Sequence, residues 1–117
     1  MEKIDAITAL AALAQDSRLD TYRLLVQAGP GGMPAGEVAA NLGLPPNTLT
    51  FHFDRLRQAG LVTVRRNGRS MIYAARYDTM NALLAYLTDN CCGGKPEECA
   101  PAPACKPTPA KATKVPA

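Results

Sequence analysis

Residues 47–62, NTLTFHFDRLRQAGLV, decide how this chain folds. At helical spacing, Leu49, Phe53 and Leu56 fall at i, i+4 and i+7 and share one face. The opposite face carries Asn47, Thr48, Thr50, Phe51, Asp54 and Arg55, small polar groups around one aromatic ring. Just upstream, EVAANLGLPPN reads as a short helix over 37–42, broken at Gly43 and restarted after Pro45-Pro46. Gly43 suits the position that ends a helix, and Pro46 suits a first helical turn, where a missing N–H costs nothing. Two helices joined by a short Gly-containing turn form either a helix-turn-helix or an ordinary helical hairpin in a core. In the first case the second helix enters the DNA major groove with its N-terminal half toward the base edges.

The residues that follow favour the first case. Leu61–Arg65 and Ser70–Ala74 are β-prone runs on either side of Asn67-Gly68, the strongest short-range hairpin signal. A helix-turn-helix followed directly by a basic hairpin is a winged helix: a mainly α fold with a small β-hairpin wing (α+β). Between Arg55 and Tyr77 there are six arginines and no acid. Such a block is an electrostatic footprint for phosphates or, more blandly, a solvated basic face. The net charge of +3 over 117 residues is too small to decide by itself.

The length suits one domain with a modest core. No apolar run approaches the length of a membrane span, and the N-terminus lacks the basic start of a secretion signal, so a cytoplasmic protein is expected. Lys3–Ala14 is Ala/Leu-rich, with Ile4, Ile7, Leu10 and Leu13 forming one helical stripe. Asp16 or Ser17 is expected to cap a second helix running to Ala28, with Leu19, Tyr22, Leu25 and Val26 facing inward. Gly29-Pro30-Gly31-Gly32 ends it, without the Lys-Ser/Thr that a phosphate loop needs. Asp78–Asn90 reads as a last amphipathic helix with Met80, Leu83, Leu84 and Leu87 on one side. Both apolar stripes suit plain core burial or a partner.

Residues 1–92 are thus read as the folded domain. From 93 to 117, six of 25 residues are Pro, six are Ala and none is aromatic, so this tail cannot bury enough surface to offset its ordering entropy. The four cysteines, Cys91, Cys92, Cys99 and Cys105, all lie at or beyond the end of the last helix. In a cytoplasmic protein such clustering suggests soft-metal binding or redox chemistry more than disulfides. In CCGGKPEEC an adjacent pair is followed by Gly93-Gly94 and, seven positions on from Cys92, a third thiol. Trivalent arsenic, a pyramidal three-coordinate centre, suits three sulfurs, and antimony(III) is similar. A tetrahedral zinc site more often draws on C-x₂₋₄-C, which is absent. Adventitious thiols on a loose tail are the plain alternative. No triad, Cys/His pair or supported carboxylate pair is present, so neither an enzyme nor a catalytic cofactor is expected.

Three blocks, LAQDSRLDTYRLL, GEVAANLGLPPNTLTFHFDRLRQAGLV and the hairpin, resemble the ArsR/SmtB winged-helix repressors in order and spacing, over about residues 6–90. That resemblance implies a homodimer built from the first and last helices and bound to double-stranded operator DNA. It places Asn47, Thr48, Thr50, Phe51, His52 and Arg55 on the reading helix, with Arg66 and Arg69 on the wing. His52 matches a family histidine and is expected to pack or to touch phosphate. The family's Cys-Val-Cys arsenic site is missing here, since that region reads Met33-Pro34-Ala35-Gly36-Glu37-Val38. Asp78 aligns with a zinc ligand of other relatives, but the last helix has no His. What remains resembles an arsenite-responsive subgroup whose site is three C-terminal cysteines, which implies Cys91, Cys92 and Cys99, with Cys105 as a possible substitute. The alternatives are a zinc/cadmium or thiol-redox sensor of the same fold or, from a different class, a thiol-based arsenic carrier or enzyme.

Overall fold

The computed structural model describes residues 1–94, so Cys99, Cys105 and nearly all of the 93–117 tail lie outside the described residues. In chain order the elements are α1 (Lys3–Leu13), α2 (Asp16–Ala28), β1 (Met33–Pro34), α3 (Ala35–Leu42), α4 (Pro46–Gln58), β2 (Val62–Asn67), β3 (Ser70–Ala75), α5 (Tyr77–Leu87) and a 3₁₀ turn, Cys91–Gly94. The strands form an antiparallel sheet in the order β1-β3-β2. The fold is a winged helix-turn-helix: α3 and α4 are the two helices, and β2–β3 is the wing.

Helix α4 is the centre of the core. Leu49, Phe53 and Leu56 are buried beside Leu25, Val38 and Leu61, as their spacing predicts. Phe53 lies flat against Tyr73 of β3, with ring centroids 3.7 Å apart and 4° between planes, so α4 is clamped to the wing. Gly43 closes α3 in the left-handed conformation, and the Leu44 N–H bonds back to the Ala39 carbonyl at 3.1 Å. At the other end of α4, the Gly60 N–H reaches Arg57 O at 2.9 Å and the Leu61 N–H reaches Leu56 O at 3.0 Å. This paired closure is the Schellman pattern, and it delivers the chain directly into β2.

Several expectations shift. Strand β1 was not legible, because two residues carry no periodicity. It forms where Met33 pairs with Tyr73 and Pro34 with Ile72, and Pro34 is tolerated because β1 is an edge strand. Gly32 makes that pairing possible: at φ +75°, a Cβ there would stand 2.5 Å from the Tyr73 carbonyl oxygen. The cap of α2 is Gln15, whose side-chain oxygen accepts the Arg18 N–H at 2.9 Å, not Asp16 or Ser17. Within α2, Tyr22 and Leu25 are buried as expected, but Leu19 and Val26 are exposed and Thr21 takes an inner place. In the wing, Asn67 pairs with Ser70, so the turn is Gly68-Arg69 and not Asn67-Gly68. Glycine leads at φ +63° while Arg69 keeps an ordinary backbone, the residue pattern of a II′ turn.

The two apolar stripes also resolve. In α1 it is Ala6, Ala9 and Ala12 that face the core, while Ile4, Ile7 and Leu10 point outward. In α5 Leu83 is 2% exposed and belongs to the protomer's own core, whereas Leu87 is 54% exposed. Of the two readings of that stripe, core burial holds for Leu83, and Leu87 is left open for a partner. Helix α5 stops at Leu87, short of Asn90. The Thr88 hydroxyl donates to Leu84 O at 2.7 Å, and Asn90 and Cys92 adopt left-handed backbone. Among the described residues, no helix is long and apolar enough to cross a membrane.

Candidate nucleic-acid interface

The outer face of α4 presents Asn47, Thr48, Thr50, Phe51 and Arg55, all exposed. Pro46 starts the helix, and Pro45 O accepts the Leu49 N–H at 3.0 Å, leaving the first turn's remaining N–H groups at the exposed end. The Thr50 hydroxyl donates to Pro46 O at 2.9 Å, so its oxygen is left to act as an acceptor. Among the described residues, no side-chain hydrogen bond holds Asn47 or Thr48. Phe51 is 53% exposed, and the Arg55 guanidinium lies 5.1 Å from its ring centroid. Phe51, Arg55 and Gln58 also form one wall of a groove of about 510 Å³ whose opposite wall includes Ile7 and Ala11.

His52 does not belong with these residues. Its side chain is buried, with 7% of the residue exposed, and its Nδ1 has no hydrogen-bond partner. Burial, and then the nearby Arg18 guanidinium, push its pKa below the ordinary histidine value, which favours a neutral ring. Of the two roles expected for it, packing stands. Phosphate contact does not, because a neutral ring sunk beneath the helix offers no charge to a phosphate.

The six-arginine block divides into two groups. Arg57 pairs with Asp54 at 2.9 Å and Arg76 with Asp78 at 3.2 Å, using acids that sit just outside the acid-free stretch. Arg65 donates to Gly31 O at 2.7 Å, which fastens the wing to the loop before β1. Arg55, Arg66 and Arg69 make no ion pair among the described residues, and all three are exposed. Arg66 Nε reaches only the turn carbonyl of Gly68, at 3.3 Å. Of the block's six cations, two are thus ion-paired, Arg65 is tied to a backbone carbonyl, and Arg55, Arg66 and Arg69 stand exposed without a carboxylate partner among the described residues.

Cys91 and Cys92 are exposed in the 3₁₀ turn that follows α5, with Cys92 at φ +53°. The third and fourth thiols, Cys99 and Cys105, lie outside the described residues. Among those that are described, no cluster of three or more His, Cys, Asp or Glu side chains could hold a metal ion.

A family model described as a helix-turn-helix domain matches residues 13–65. The chain is 34% identical over 73 residues to an uncharacterized HTH-type transcriptional regulator of Bacillus subtilis, YceK, covering 62% of this chain and 72% of that protein. The fold matches a solved homodimeric winged helix-turn-helix domain from Mycobacterium bovis, described as a possible ArsR-family transcriptional regulator. The TM-score is 0.60 at 25% identity, covering 80% of this chain and 86% of that one. A structure described as a possible transcriptional regulator for arsenical resistance matches with TM-score 0.60 at 26% identity, over 68% of this chain and 79% of that one.

Proposed function

From the premise that the chain belongs to the ArsR family of winged helix-turn-helix transcriptional regulators, we propose that it represses transcription as an operator-bound homodimer and releases DNA when arsenic(III) binds its C-terminal thiols. The observation that carries this reading is the exposed Cys91-Cys92 pair just beyond α5, a helix whose Leu84 and Leu87 lie open on the surface. Helix α1 packs on α5 and leaves Ile4, Ile7 and Leu10 open as well. Large apolar side chains exposed on two touching helices suit a two-fold partner that covers them.

Cys91, Cys92 and Cys99 are the proposed ligands, with Cys105 able to replace Cys99. Arsenite, As(OH)₃, condenses with three thiols: three As–S bonds replace three As–O bonds, and each hydroxyl leaves as water with the proton of one thiol. Antimony(III) takes the same donors, because both are soft and pyramidal. Capture draws the segment after Cys92 onto the foot of α5 and biases the two reading heads of the dimer. A coupling of about 1–3 kcal/mol corresponds to roughly 5–150-fold weaker operator binding.

A mobility-shift titration on the DNA upstream of the protein's own gene, with and without arsenite, tests both halves. Wild type binds, and arsenite releases it. Cys91→Ser and Cys92→Ser each bind as tightly but are not released, while Arg66→Ala and Arg69→Ala each lower the salt slope by about 0.9. A Cys91/Cys92 double variant that still lets go when arsenite is added sinks the site. Release by a thiol oxidant but not by arsenite transfers the input to thiol-redox sensing.

A further inference from the structure

Phe51 is an exposed phenyl ring on a face otherwise made of small polar groups and Arg55. Two neighbours hold it. The Arg55 guanidinium lies over it at 5.1 Å, and the buried His52 ring meets it edge-on at 6.0 Å between centroids, with 61° between planes. Arg55 is oriented by an aromatic ring and not by a carboxylate, in contrast to Arg57, which is tied to Asp54. It therefore keeps its full charge, and its planar fork of donors stays available beside the ring.

The major groove offers a natural partner for each group. Its apolar feature is the thymine 5-methyl, which Phe contacts well, and the site that fits a planar two-donor fork is guanine O6/N7. Residues four apart on a helix are separated by about 6 Å along its axis. Successive base pairs are about 3.4 Å apart, so the two contacts fall within about two steps of each other.

We propose that Phe51 and Arg55 read DNA as one unit, with the ring against a thymine methyl and the ring-braced guanidinium on a guanine one or two base pairs away. His52 is a positioning residue for this unit, the buried platform behind the ring. The inference rests on the operator-binding reading and is independent of the cysteines and their ligand. It separates the outer face of α4 into a specificity pair and its polar flank, Asn47, Thr48 and Thr50.

The test uses the full-length protein and the duplex that wild type selects from a random DNA pool. Each thymine is replaced in turn by deoxyuridine, which lacks only the methyl, and each guanine by 7-deazaguanine, which lacks the N7 acceptor. Wild type is expected to lose about fourfold in affinity at one thymine per half-site, the worth of one buried methyl. It is expected to lose about tenfold at a guanine within two steps. Phe51→Ala binds thymine and uracil duplexes alike at that position, with an unchanged salt slope and an unchanged far-UV spectrum. Arg55→Ala loses the 7-deazaguanine penalty, because the donor to N7 is gone, and Phe51→Ala reduces it, because the fork has lost its brace. A flat uracil scan on a duplex that is still tightly bound overturns the pair while leaving operator binding intact, as does a thymine penalty that Phe51→Ala retains. If wild type selects no sequence from the pool, the operator reading falls and the pair falls with it.

Discussion

Helices α1 and α4 each carry a stripe of large apolar side chains, yet they point it in opposite directions. Helix α4 buries Leu49, Phe53 and Leu56 and exposes polar groups, while α1 buries Ala6, Ala9 and Ala12 and exposes isoleucine and leucine. Ile7 is 56% exposed while Ala9, two residues on, is 0% exposed. The difference shows that a stripe of large apolar residues marks a surface to be covered, not necessarily the core of its own chain. Close approach of α1 to the rest of the protomer needs small side chains, which leaves its bulky ones for another surface. Helix α5 combines the two behaviours, with Leu83 inside and Leu84 and Leu87 outside.

The largest effect expected from breaking this contrast is at Leu83. An aspartate there places an unpaired charge in the protomer's own core, at a cost above about 5 kcal/mol, and should leave no cooperative unfolding transition. Leu87→Asp should leave the protomer folded, within about 0.5 kcal/mol. It should nonetheless abolish the proposed dimer by burying a charge at its seam, at about 3–5 kcal/mol of association free energy. Sedimentation velocity separates these outcomes: Leu87→Asp sediments as a folded monomer, and a dimer that survives moves the interface elsewhere. Ala9→Val sharpens the contrast from the small side. Two added methyl groups at a fully buried contact should cost about 1–3 kcal/mol in denaturant unfolding, whereas Ile7→Val, on the outer face, should leave protomer stability nearly unchanged.

The smallest expected effect concerns His52, on the inner face of α4. Its pKa is lowered in the folded protein, by burial first and Arg18 second, so on acidification the unfolded chain takes up the proton more readily. Its contribution to stability is complete above the ordinary histidine pKa of 6.5 and is lost as the pH falls below it. For one proton the slope is at most about 1.4 kcal/mol per pH unit. Denaturant midpoints at pH 7.5 and 5.5 should diverge for wild type and converge for His52→Gln. Equal divergence in both proteins removes His52 as the cause.

Much of this was legible from local chemistry. The i, i+4, i+7 placement of Leu49, Phe53 and Leu56 located the reading helix, Gly43 and Pro46 located its turn, and the β-prone runs around Asn67-Gly68 located the wing. Arg55, Arg66 and Arg69 were nominated as DNA contacts, and all three are exposed and make no ion pair among the described residues. The turn register slipped by one residue, because Asn-Gly is compatible with more than one hairpin register and the strand pairing chose Gly68-Arg69. The ion pairs of Arg57 and Arg76 were missed, because their acids lie one residue before Arg55 and one after Tyr77.

What the sequence by itself determined was therefore the type and order of the main elements, since periodicity, caps and turn residues act over a few positions. Only the tertiary structure decided which face of α1 is inside, that Leu83 and Leu87 part company, that His52 is sunk beneath the helix, and that Met33-Pro34 becomes a strand. Each of these depends on what a distant segment offers. Tyr73 supplies a partner for Met33 and a ring for Phe53, and Arg18 comes to lie beside His52. Burial is a property of the space that other elements leave open, and a stripe on one helix carries no record of which neighbour will fill it.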